Sequence, residues 1–586
     1  MNLSRWLNTT WMWTCHREWR AFCRASCAPA ETQATVLKKM LRANRESEFG
    51  LRYDFRSIDS PREYQRRVPL GDDETFRPAI DRMAAGEQNV LTSERVCLFE
   101  PTSGTTSTSK LIPYTRSLQR QYQRAIAAWV HNLYRNRPAV RRGRAYWSIS
   151  PALGERGRTS SGVPIGFDDD SAYLGGWERL LVNRLLAVPQ DVAKLRDIDD
   201  SRYATLLSLL SAGDLSLISI WSPTFMTALL DGLEDWSDRL CGDLDTGRIR
   251  CPSGSVVDDC SRRLRSPICS PHRARQVRRI LSSGDTLPER LQQLWPQLAL
   301  ISCWADASSG AFVGGLQHLF PTVEIQPKGL MATEGCLSFP LVGRSGAALA
   351  LRSHFFEFEE GDFYNAAPVA VTQRCRFAHE LEFGGRYGVV LTTAGGLYRY
   401  RLGDMVEVVG FENRCPLLRF RGRSSRSSDL VGEKLAEPHV RSVLESLLAN
   451  AGIAPRFALV VPVAASRPHY RLYLQLSPTG PRDFPVEFLA ERLQDGLEQN
   501  PYYQHAIQLG QLGPLDVCLL DPQAESGWRV HERRCNSEGT SPGDIKPTVL
   551  DTRPGWAQVL EPILQRSPRK PGRATFGVPS SPAQRG

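Results

Sequence analysis

The chain has 586 residues, of which 41% are hydrophobic and 23% charged, and its formal net charge is +10. This composition is that of a folded globular protein, and it excludes a disordered chain, a collagen-like repeat and a small disulfide scaffold. At roughly 100–200 residues per domain, the length predicts two to four domains.

Helical and strand patterns alternate along the first 420 or so residues, which is typical of α/β layers. The pair Ser222-Pro223 predicts the start of a helix, and residues 394–396 predict a hairpin turn. In chain order, the predicted elements are a helix over 30–44, a strand over 92–99, a helix over 116–134, a strand over 215–221, a helix over 224–233, and strands over 298–304, 388–393 and 397–401.

The pattern restarts after about residue 423, with a helix over 437–450, strands over 457–463 and 470–476, and a helix over 488–499. We therefore predict an α/β protein with a large N-terminal domain of layered sheets and helices and a smaller, mobile α+β C-terminal domain. The predicted boundaries are an N-terminal extension over 1–29, the large domain over 30–422, the small domain over 423–560 and a basic disordered tail over 561–586.

The excess positive charge lies mainly at the two ends of the chain. Residues 566–586 carry five basic residues and no acid, and residues 1–27 carry four arginines and one glutamate. A nucleic-acid-binding protein usually carries its basic surface on a folded domain, so we predict no nucleic-acid partner. The internal basic run over 260–280 has seven arginines and is interpreted as a solvated helix face.

Cysteine usage and hydropathy indicate a cytoplasmic protein. The 14 cysteines form no CxxC pair, which is typical of reduced thiols. No stretch approaches the roughly 20 apolar residues of a membrane span, so we predict no stable membrane insertion. The Trp-rich N-terminus lacks the apolar run of a signal peptide and is interpreted as a docked helix.

The strongest local motif is a loop of small hydroxyl residues, Thr102-Ser-Gly-Thr-Thr-Ser-Thr-Ser-Lys110, which follows a predicted strand. Its backbone N–H and side-chain O–H groups can donate to anionic oxygens, and Lys110 adds a positive charge. The spacing is not that of a Walker A loop. Taken alone, the segment could equally be a Ser/Thr-rich surface turn.

Four further motifs are weak singly, because a lone Glu, Asp or Lys beside glycine is more often a turn residue than a functional one. They are Lys328-Gly-Leu-Met-Ala-Thr-Glu-Gly335, Tyr398-Arg-Tyr-Arg-Leu-Gly-Asp404, Gly422-Arg423 followed by Gly432-Glu-Lys434, and Gly543-Asp-Ile-Lys-Pro547. The ten histidines show no HExxH pattern and there is no GxSxG elbow, so hydrolase chemistry has little support.

The order of these motifs resembles the adenylate-forming superfamily of acyl-CoA ligases, luciferase and adenylation domains. The wider sequence is similar to one branch, the GH3 acyl acid–amido synthetases, and Gly432-Glu-Lys-Leu435 resembles its bacterial-type members. The similar stretches span nearly the whole chain and are residues 31–37, 86–91, 103–106, 111–115, 222–225, 294–296 and 397–404.

The resemblance implies ATP and Mg²⁺ as cofactors and assigns roles to individual positions. Glu334 would bind Mg²⁺, and Lys546 would reach the α-phosphate from the C-terminal domain. Asp404 would accept hydrogen bonds from the ribose hydroxyls, and Arg423 would mark the hinge. The implied nucleotide-binding positions are Ser103, Gly104, Thr105, Thr106, Lys110, Thr333, Asp404, Arg423 and Lys434.

The implied reaction activates a small carboxylic acid as an acyl-adenylate and transfers the acyl group to an amine, with an amino acid as the expected acceptor. Two alternatives remain open: transfer to a thiol such as that of CoA, and a degenerate nucleotide-binding protein without activity. Charge that builds on phosphate oxygens would be stabilised by Mg²⁺ and lysine, so no protein nucleophile is required.

The substrate pockets are less well defined by the sequence. Leu330 occupies a position where relatives often have an aromatic residue against adenine, and Asp306-Ala-Ser-Ser-Gly310 is the candidate adenine wall. Residues 161–167 and 225–226 are candidate linings for the acyl acid, with ordinary core and loop as the alternative. The run Asp168-Asp169-Asp170 is interpreted as a solvated turn.

Overall fold

The structure is a computed structural model. It describes residues 3–102, 110–147, 157–166, 184–195, 197–253, 269–360, 375–423, 427–428, 430–431, 433, 435–465, 467–478, 486–508, 511–538 and 545–565.

Helices make up much of the described chain, and several begin with a side-chain cap, as at Thr115, whose hydroxyl accepts from the Leu118 N–H. The α-helices are α1 Leu3–Cys27, α2 Pro29–Ala43, α3 Glu48–Arg52, α4 Pro61–Arg67, α5 Asp73–Ala84, α6 Arg116–Asn136, α7 Ile198–Ser211, α8 Pro223–Asp235, α9 Ser237–Thr246, α10 Pro271–Leu281, α11 Leu287–Leu294, α12 Gly310–Leu319, α13 Glu437–Asn450, α14 Val486–Leu497, α15 Pro501–Gln508, α16 Gly527–Ser537 and α17 Trp556–Leu560. Short 3-10 turns lie at Pro138–Arg142, Gln190–Lys194, Ala307–Ser309, Ala378–Glu380 and Glu561–Ile563.

The strands fall into a large antiparallel sheet, a parallel sheet, a mixed sheet and three two-stranded ribbons. They are β1 Leu98–Thr102, β2 Lys110–Tyr114, β3 Arg144–Trp147, β4 Leu215–Ser219, β5 Leu300–Cys303, β6 Glu324–Pro327, β7 Met331–Ala332, β8 Gly335–Cys336, β9 Ser338–Pro340, β10 Ala347–Leu349, β11 Phe355–Glu360, β12 Cys375–Phe377, β13 Arg386–Thr392, β14 Tyr400–Glu412, β15 Cys415–Arg423, β16 Ser427–Ser428, β17 Leu435–Ala436, β18 Pro455–Val463, β19 His469–Leu476 and β20 Asp516–Leu520.

Residues 3–423 contain the two largest sheets. The antiparallel sheet has the order β12-β11-β13-β14-β15-β10-β9 and shares one apolar core with α1, α2 and α6. The parallel sheet has the order β3-β4-β5-β6. A second apolar core lies between this sheet and the surrounding helices, including α7 and α8. The two sheets, each covered by helices, confirm the α/β prediction.

Residues 435–565 form two smaller apolar cores around the sheet β18-β19-β20, in which β18 and β19 are antiparallel and β19 and β20 parallel. Helices α13 and α14 pack in one core and α16 and α17 in the other. The α+β character predicted for this part of the chain is therefore confirmed.

The predicted strand over 92–99 is wrong in its bounds, because regular pairing begins only at Leu98. The Asn44 side-chain oxygen instead accepts hydrogen bonds from the Thr92 hydroxyl and the Ser93 N–H, at 3.0 and 3.1 Å. A side chain thus takes the place of a strand partner.

The predicted strand over 397–401 is also wrong at its start. Arg399 has a φ of +46°, in the left-handed region that is outside the extended range for a residue with a side chain, and β14 begins after it at Tyr400. The strand then continues to Glu412.

The basic run over 260–280 is only partly described, since residues 254–268 lie outside the described residues. Within α10, Arg273 is buried, and its guanidinium donates to the carbonyls of Leu210 and Leu294 at 2.8 and 2.6 Å. The solvated-face interpretation is therefore wrong for Arg273, because fixed carbonyls replace the water that its charge needs.

The N-terminal helix α1 is docked as predicted, with Trp11 buried against Tyr134 and Trp147. None of the helices in the described part of the chain combines the length and the apolar character that crossing a bilayer requires. Of the cysteines, 13 lie in that part, and all of these are free thiols.

Candidate active site

The hydroxyl loop connects two paired strands. β1 and β2 are antiparallel, and their last pair is Thr102 with Lys110, so the loop leaves and re-enters at the end of this ribbon. Ser103, Gly104, Thr105 and Thr106 lie outside the described residues. Lys110 has its Nζ 3.6 Å from the carboxylate of Asp73, the first residue of α5.

The far end of β2 holds the turn that carries Thr333 and Glu334, between β7 and β8. The hydroxyl of Tyr114 donates to the Thr333 carbonyl at 2.5 Å. The hydroxyl of Tyr122, on α6, lies 2.5 Å from the Ala332 carbonyl and 2.7 Å from that of Thr333. Because both tyrosines are fully buried, these bonds form away from competing water and fix the turn.

A buried histidine supports the same turn from the other side. The Cys336 N–H donates to Nε2 of His354 at 3.1 Å, so the ring proton is on Nδ1, which lies 3.1 Å from the Gln121 side-chain oxygen. Burial lowers the pKa of His354 to about 3. His354 is therefore neutral at physiological pH and serves as a fixed acceptor and donor.

Glycine is required next to Glu334. A Cβ at Gly335 would lie 2.9 Å from Leu391 Cδ2 and 3.0 Å from His354 Nε2, closer than packed atoms allow. The turn therefore lies directly on β13, and Glu334 is 7% exposed.

Asp404 lies on β14, opposite Arg423 on β15, and is 1% exposed. Gly403, just before it, has a φ of +77°, which favours glycine. Strand pairing thus places the predicted ribose-binding carboxylate beside the predicted hinge. The Arg423 side chain and Lys434 lie outside the described residues.

The parallel sheet presents three further side chains at the carboxyl ends of its strands, where open α/β sheets bind ligands. Trp221 follows β4, Trp304 follows β5, and Lys328 follows β6. The two indole rings lie 5.3 Å apart. Lys328 places its Nζ 4.4 Å from the centre of the Trp221 ring and donates to the Ile220 carbonyl at 3.1 Å.

Lys546 reaches this sheet edge from the C-terminal part of the chain, with its Nζ 5.1 Å from the centre of the Trp304 ring. Two residues after Trp304, the Asp306 carboxylate accepts from the Phe420 N–H at 3.2 Å. Phe420 is on β15, next to the strand that carries Asp404. Lys546 is therefore connected, through Trp304 and Asp306, to β15, the strand that pairs with the strand of Asp404.

The segment that carries Lys546 is anchored to the C-terminal sheet. Two residues beyond it, the Thr548 hydroxyl donates to the Glu437 carboxylate at 2.9 Å. Val460 on β18 then accepts from the Asp551 N–H and donates to the Val549 carbonyl. The backbone that follows Lys546 is therefore hydrogen-bonded to the C-terminal sheet.

A buried charged cluster lies a few residues further on. Asp551 contacts the His531 ring and the Arg553 guanidinium, while Cys535 lies 3.7 Å from His531 Nδ1 and 3.2 Å from Arg553. Burial acts to raise the pKa of the Cys535 thiol, but the contacts with His531 and Arg553 outweigh burial and hold that pKa below its ordinary value. The His531 ring is stacked between Trp528 and Trp556, so the cluster ties α16 and α17 to the strand-like segment after Lys546.

Helix α16 makes the polar contact between the C-terminal part and the helices of the parallel sheet. Glu532 pairs with Arg202 of α7 at 2.9 Å, and Arg529 pairs with Asp231 of α8 at 3.1 Å. Burial raises the pKa of Glu532. The same contact includes the rings of Trp528 and Phe312, whose centres lie 5.6 Å apart, so it combines two ion pairs with one aromatic contact.

The candidate linings are placed as follows. Ile165 forms a single bridge with Phe99, so residues 161–166 lie beside β1, whereas Met226 is fully buried in the core of the parallel sheet. Residues 167–183, including Asp168, Asp169 and Asp170, lie outside the described residues. The adenine wall at residues 306–310 stays a prediction.

The sequence models of one family account for most of the chain. They are the GH3 family N-terminal domain over residues 19–325, the GH3 family central domain over 347–423 and the GH3 family C-terminal domain over 439–553. The chain belongs to the GH3 family.

Individual relatives agree with this assignment. The indole-3-acetic acid-amido synthetase GH3.4 of Arabidopsis thaliana is 22% identical over 84% of this chain and 85% of the relative, and GH3.8 of Oryza sativa subsp. indica is 24% identical over 84% and 83%. The solved structure of a GH3.15 acyl acid amido synthetase in complex with 2,4-DB has a TM-score of 0.80 at 19% identity and covers 94% of this chain and 96% of that one. The fold is thus shared at low sequence identity.

The described site residues fall into two groups. Lys110, Thr333 and Glu334 are linked through β2 and Tyr114, and Asp404 and Lys546 are linked through β15 and Trp304. The supporting residues Tyr114, Tyr122, Gln121, His354 and Trp304 are absent from the sequence-based prediction. Only Trp304 had a sequence signal, since it is the last residue of a predicted buried strand, at the end where α/β sheets bind ligands.

Proposed function

We propose that this protein is a cytoplasmic, ATP-dependent acyl acid amido synthetase that joins a small carboxylic acid to an amine, with an amino acid as the acceptor. The observation that carries the proposal is the position of Lys546, which stands over Trp304 at the carboxyl ends of the parallel strands. Membership of the GH3 family supports the reaction class. Nucleic acid and membrane lipid have no part in it.

The proposed reaction has two steps, adenylation of the acid and transfer of the acyl group to the amine. A carboxylate oxygen of the acid attacks the α-phosphorus of ATP, the bond to the β-phosphate oxygen breaks, and pyrophosphate leaves. The amine nitrogen then attacks the acyl carbon of the acyl-adenylate, loses a proton and expels AMP. The first step places extra negative charge on phosphate oxygens, and the ammonium of Lys546 donates hydrogen bonds to those of the α-phosphate.

The donor set fits Mg²⁺ and nucleotide. Mg²⁺ is usually held by one or two carboxylates together with substrate phosphates, and Glu334 supplies a carboxylate on a turn that buried tyrosines fix. When bound, Mg²⁺ neutralises phosphate charge. The Asp404 carboxylate can accept hydrogen bonds from the two ribose hydroxyls. Ser103, Gly104, Thr105, Thr106, Lys110, Thr333 and Lys434 complete the proposed phosphate contacts.

We further propose that residues 423–560 rotate about Arg423 between the two steps, which withdraws Lys546 before the amine arrives. The weak polar contact of α16 with α7 and α8 is compatible with such movement. Residues 30–422 stay in place and keep the turn of Glu334 and the strand of Asp404 with the acyl-adenylate.

The decisive variant is Lys546→Ala. Acid-dependent exchange between pyrophosphate and ATP should fall about 10²–10³-fold, the range expected when a fixed donor to a developing oxyanion is removed. Amide formation from supplied acyl-adenylate should remain within about 3-fold of wild type. Equal loss of both half-reactions would contradict the assignment.

The substrates are identified by a screen. Purified protein with ATP, Mg²⁺ and a panel of carboxylic acids should release pyrophosphate, and mass spectrometry with an amino-acid mixture should then detect an amide and AMP. A CoA thioester in place of the amide would overturn the proposed acceptor class. Absence of AMP with every acid would overturn the activity itself.

A further inference from the structure

Lys546 contacts the face of an aromatic ring at the sheet edge. We propose that Trp304 is a positioning residue, whose indole holds the Lys546 ammonium during adenylation and releases it before amide formation. The inference rests on the proposed function, because it assumes that Lys546 serves the first half-reaction.

The geometry is that of a cation–π contact. The Lys546 Nζ lies 5.1 Å from the centre of the Trp304 ring, within the roughly 6 Å over which such contacts are attractive. Lysine has a flexible stem with four methylene groups, so without a contact near its end the ammonium would sample many positions. Contact with the indole restricts the ammonium to positions at the sheet edge.

Trp304 is itself ordered by neighbours other than Lys546. The backbone N–H of Trp304 donates to the backbone carbonyl of Trp221 at 2.7 Å, and the two indole rings lie 5.3 Å apart. The Lys328 N–H donates to the Cys303 carbonyl at 2.9 Å, which fixes the next strand end. The indole is therefore in place before the C-terminal part of the chain arrives, as a positioning group must be.

An aromatic face suits this task better than a carboxylate. A carboxylate at the same place would neutralise the ammonium and compete with phosphate oxygens for its N–H donors. The indole attracts the cation through its ring quadrupole without neutralising its charge. The contact is also weak enough, at about 0.5–2 kcal/mol, for the lysine to leave when the domain rotates.

The first test compares variants with and without the ring. Trp304→Leu should lower kcat for acid-dependent pyrophosphate exchange about 2–30-fold, the range equivalent to the energy of the lost contact. The KM for ATP should change less than 2-fold, and amide formation from supplied acyl-adenylate should be unchanged. Trp304→Phe, which keeps an aromatic face, should retain at least half of the exchange rate. If Trp304→Leu does not fold, Trp304→Met replaces it as the variant without a ring.

The second test is a double-mutant cycle with Lys546→Ala. If Trp304 acts through Lys546, adding Trp304→Leu to Lys546→Ala should cause no further loss of exchange. The inference would be overturned if the double variant lost a further 3-fold or more of the exchange rate. Equal losses in the two half-reactions of Trp304→Leu alone would overturn it as well. An unchanged exchange rate in Trp304→Leu would do so as well, provided that Lys546→Ala is inactive. If Lys546→Ala itself retains exchange, the lysine assignment in the proposed function fails instead.

Discussion

The turn of Glu334 and the side chain of Lys546 are held in very different ways. The turn receives bonds from Tyr114 and Tyr122 and packs on His354, all of them buried. Lys546 contacts the face of Trp304 at the sheet edge, and the part of the chain that carries Lys546 contacts α7 and α8 through two ion pairs. In the proposed cycle the turn serves both half-reactions, whereas Lys546 serves only adenylation. Rigid support therefore suits the turn, and reversible support suits the lysine.

The largest expected effect concerns the rigidly supported region, which holds the turn of Glu334 and the strand of Asp404. Glu357 and Arg399 form an ion pair that is 0% and 3% exposed, and Arg399 directly precedes the strand of Asp404. Glu357→Ala leaves a buried guanidinium without its carboxylate and should lower the free energy of unfolding by about 3–5 kcal/mol. Denaturant unfolding measures this loss.

A neighbouring pair provides the control. Glu359 on the same strand pairs with Arg401, which is 39% exposed, so Glu359→Ala should cost only about 0–1 kcal/mol. Similar losses in the two variants would show that burial does not set the rigidity of this part of the molecule.

The second prediction uses pH. The pKa of His354 is about 3 in the folded protein and about 6.5 in an unfolded chain, so the unfolded state binds the extra proton as the pH falls below 6.5. The contribution of His354 to the free energy of unfolding is thus fully present above pH 6.5. Between pH 6.5 and 3, the free energy of unfolding should decline by about 1.4 kcal/mol per pH unit through this residue alone.

The His354→Gln variant isolates that contribution. Unfolding titrations of wild type and variant at pH 4.5–8 should give slopes that differ by one proton below pH 6 and agree above pH 7. Parallel slopes over the whole range would mean that His354 is not held neutral.

The third prediction compares the rates of the two half-reactions in variants that lack one buried hydroxyl. Tyr122→Phe removes a donor from the turn of Thr333, which should cost about 0.5–1.5 kcal/mol and slow both half-reactions by a similar factor, up to about 10-fold. Tyr203→Phe removes an equally buried hydroxyl that donates to Asp243, in the core of the parallel sheet, and should leave the rates of both half-reactions unchanged. Selective loss of adenylation in Tyr122→Phe would contradict the shared role of the turn.

The smallest expected effect concerns the domain contact. Arg202→Gln breaks the pair with Glu532, whose pKa burial already raises, so the carboxyl can take up a proton and limit the cost. Pyrophosphate exchange should fall about 2–5-fold, and amide formation should not fall.

Arg529→Gln is the matched control at that contact. Its partner Asp231 is 49% exposed, and the change in exchange rate should stay below about 2-fold. If both variants slow amide formation as much as exchange, the contact is not specific to the adenylating arrangement.

Regular elements with strong periodicity were predictable from the sequence. The helix over 437–450 has the predicted bounds, and the Ser222-Pro223 pair begins α8. The predictions failed where one residue overrides the local pattern, as when Asn44 replaces the strand partner of residues 92–93 and the positive φ of Arg399 delays β14. Periodicity does not encode such long-range or single-residue constraints.

The sequence by itself determined the family, the α/β class and the order of the motifs, because these depend on residue types at fixed spacings along the chain. Only the tertiary structure decided which groups support them. Tyr114 and Thr333 are 219 residues apart, and Lys546 and Trp304 lie in different parts of the chain, yet each pair is in contact. Contacts of this kind come from the packing of sheets and helices against one another, which short-range patterns do not specify.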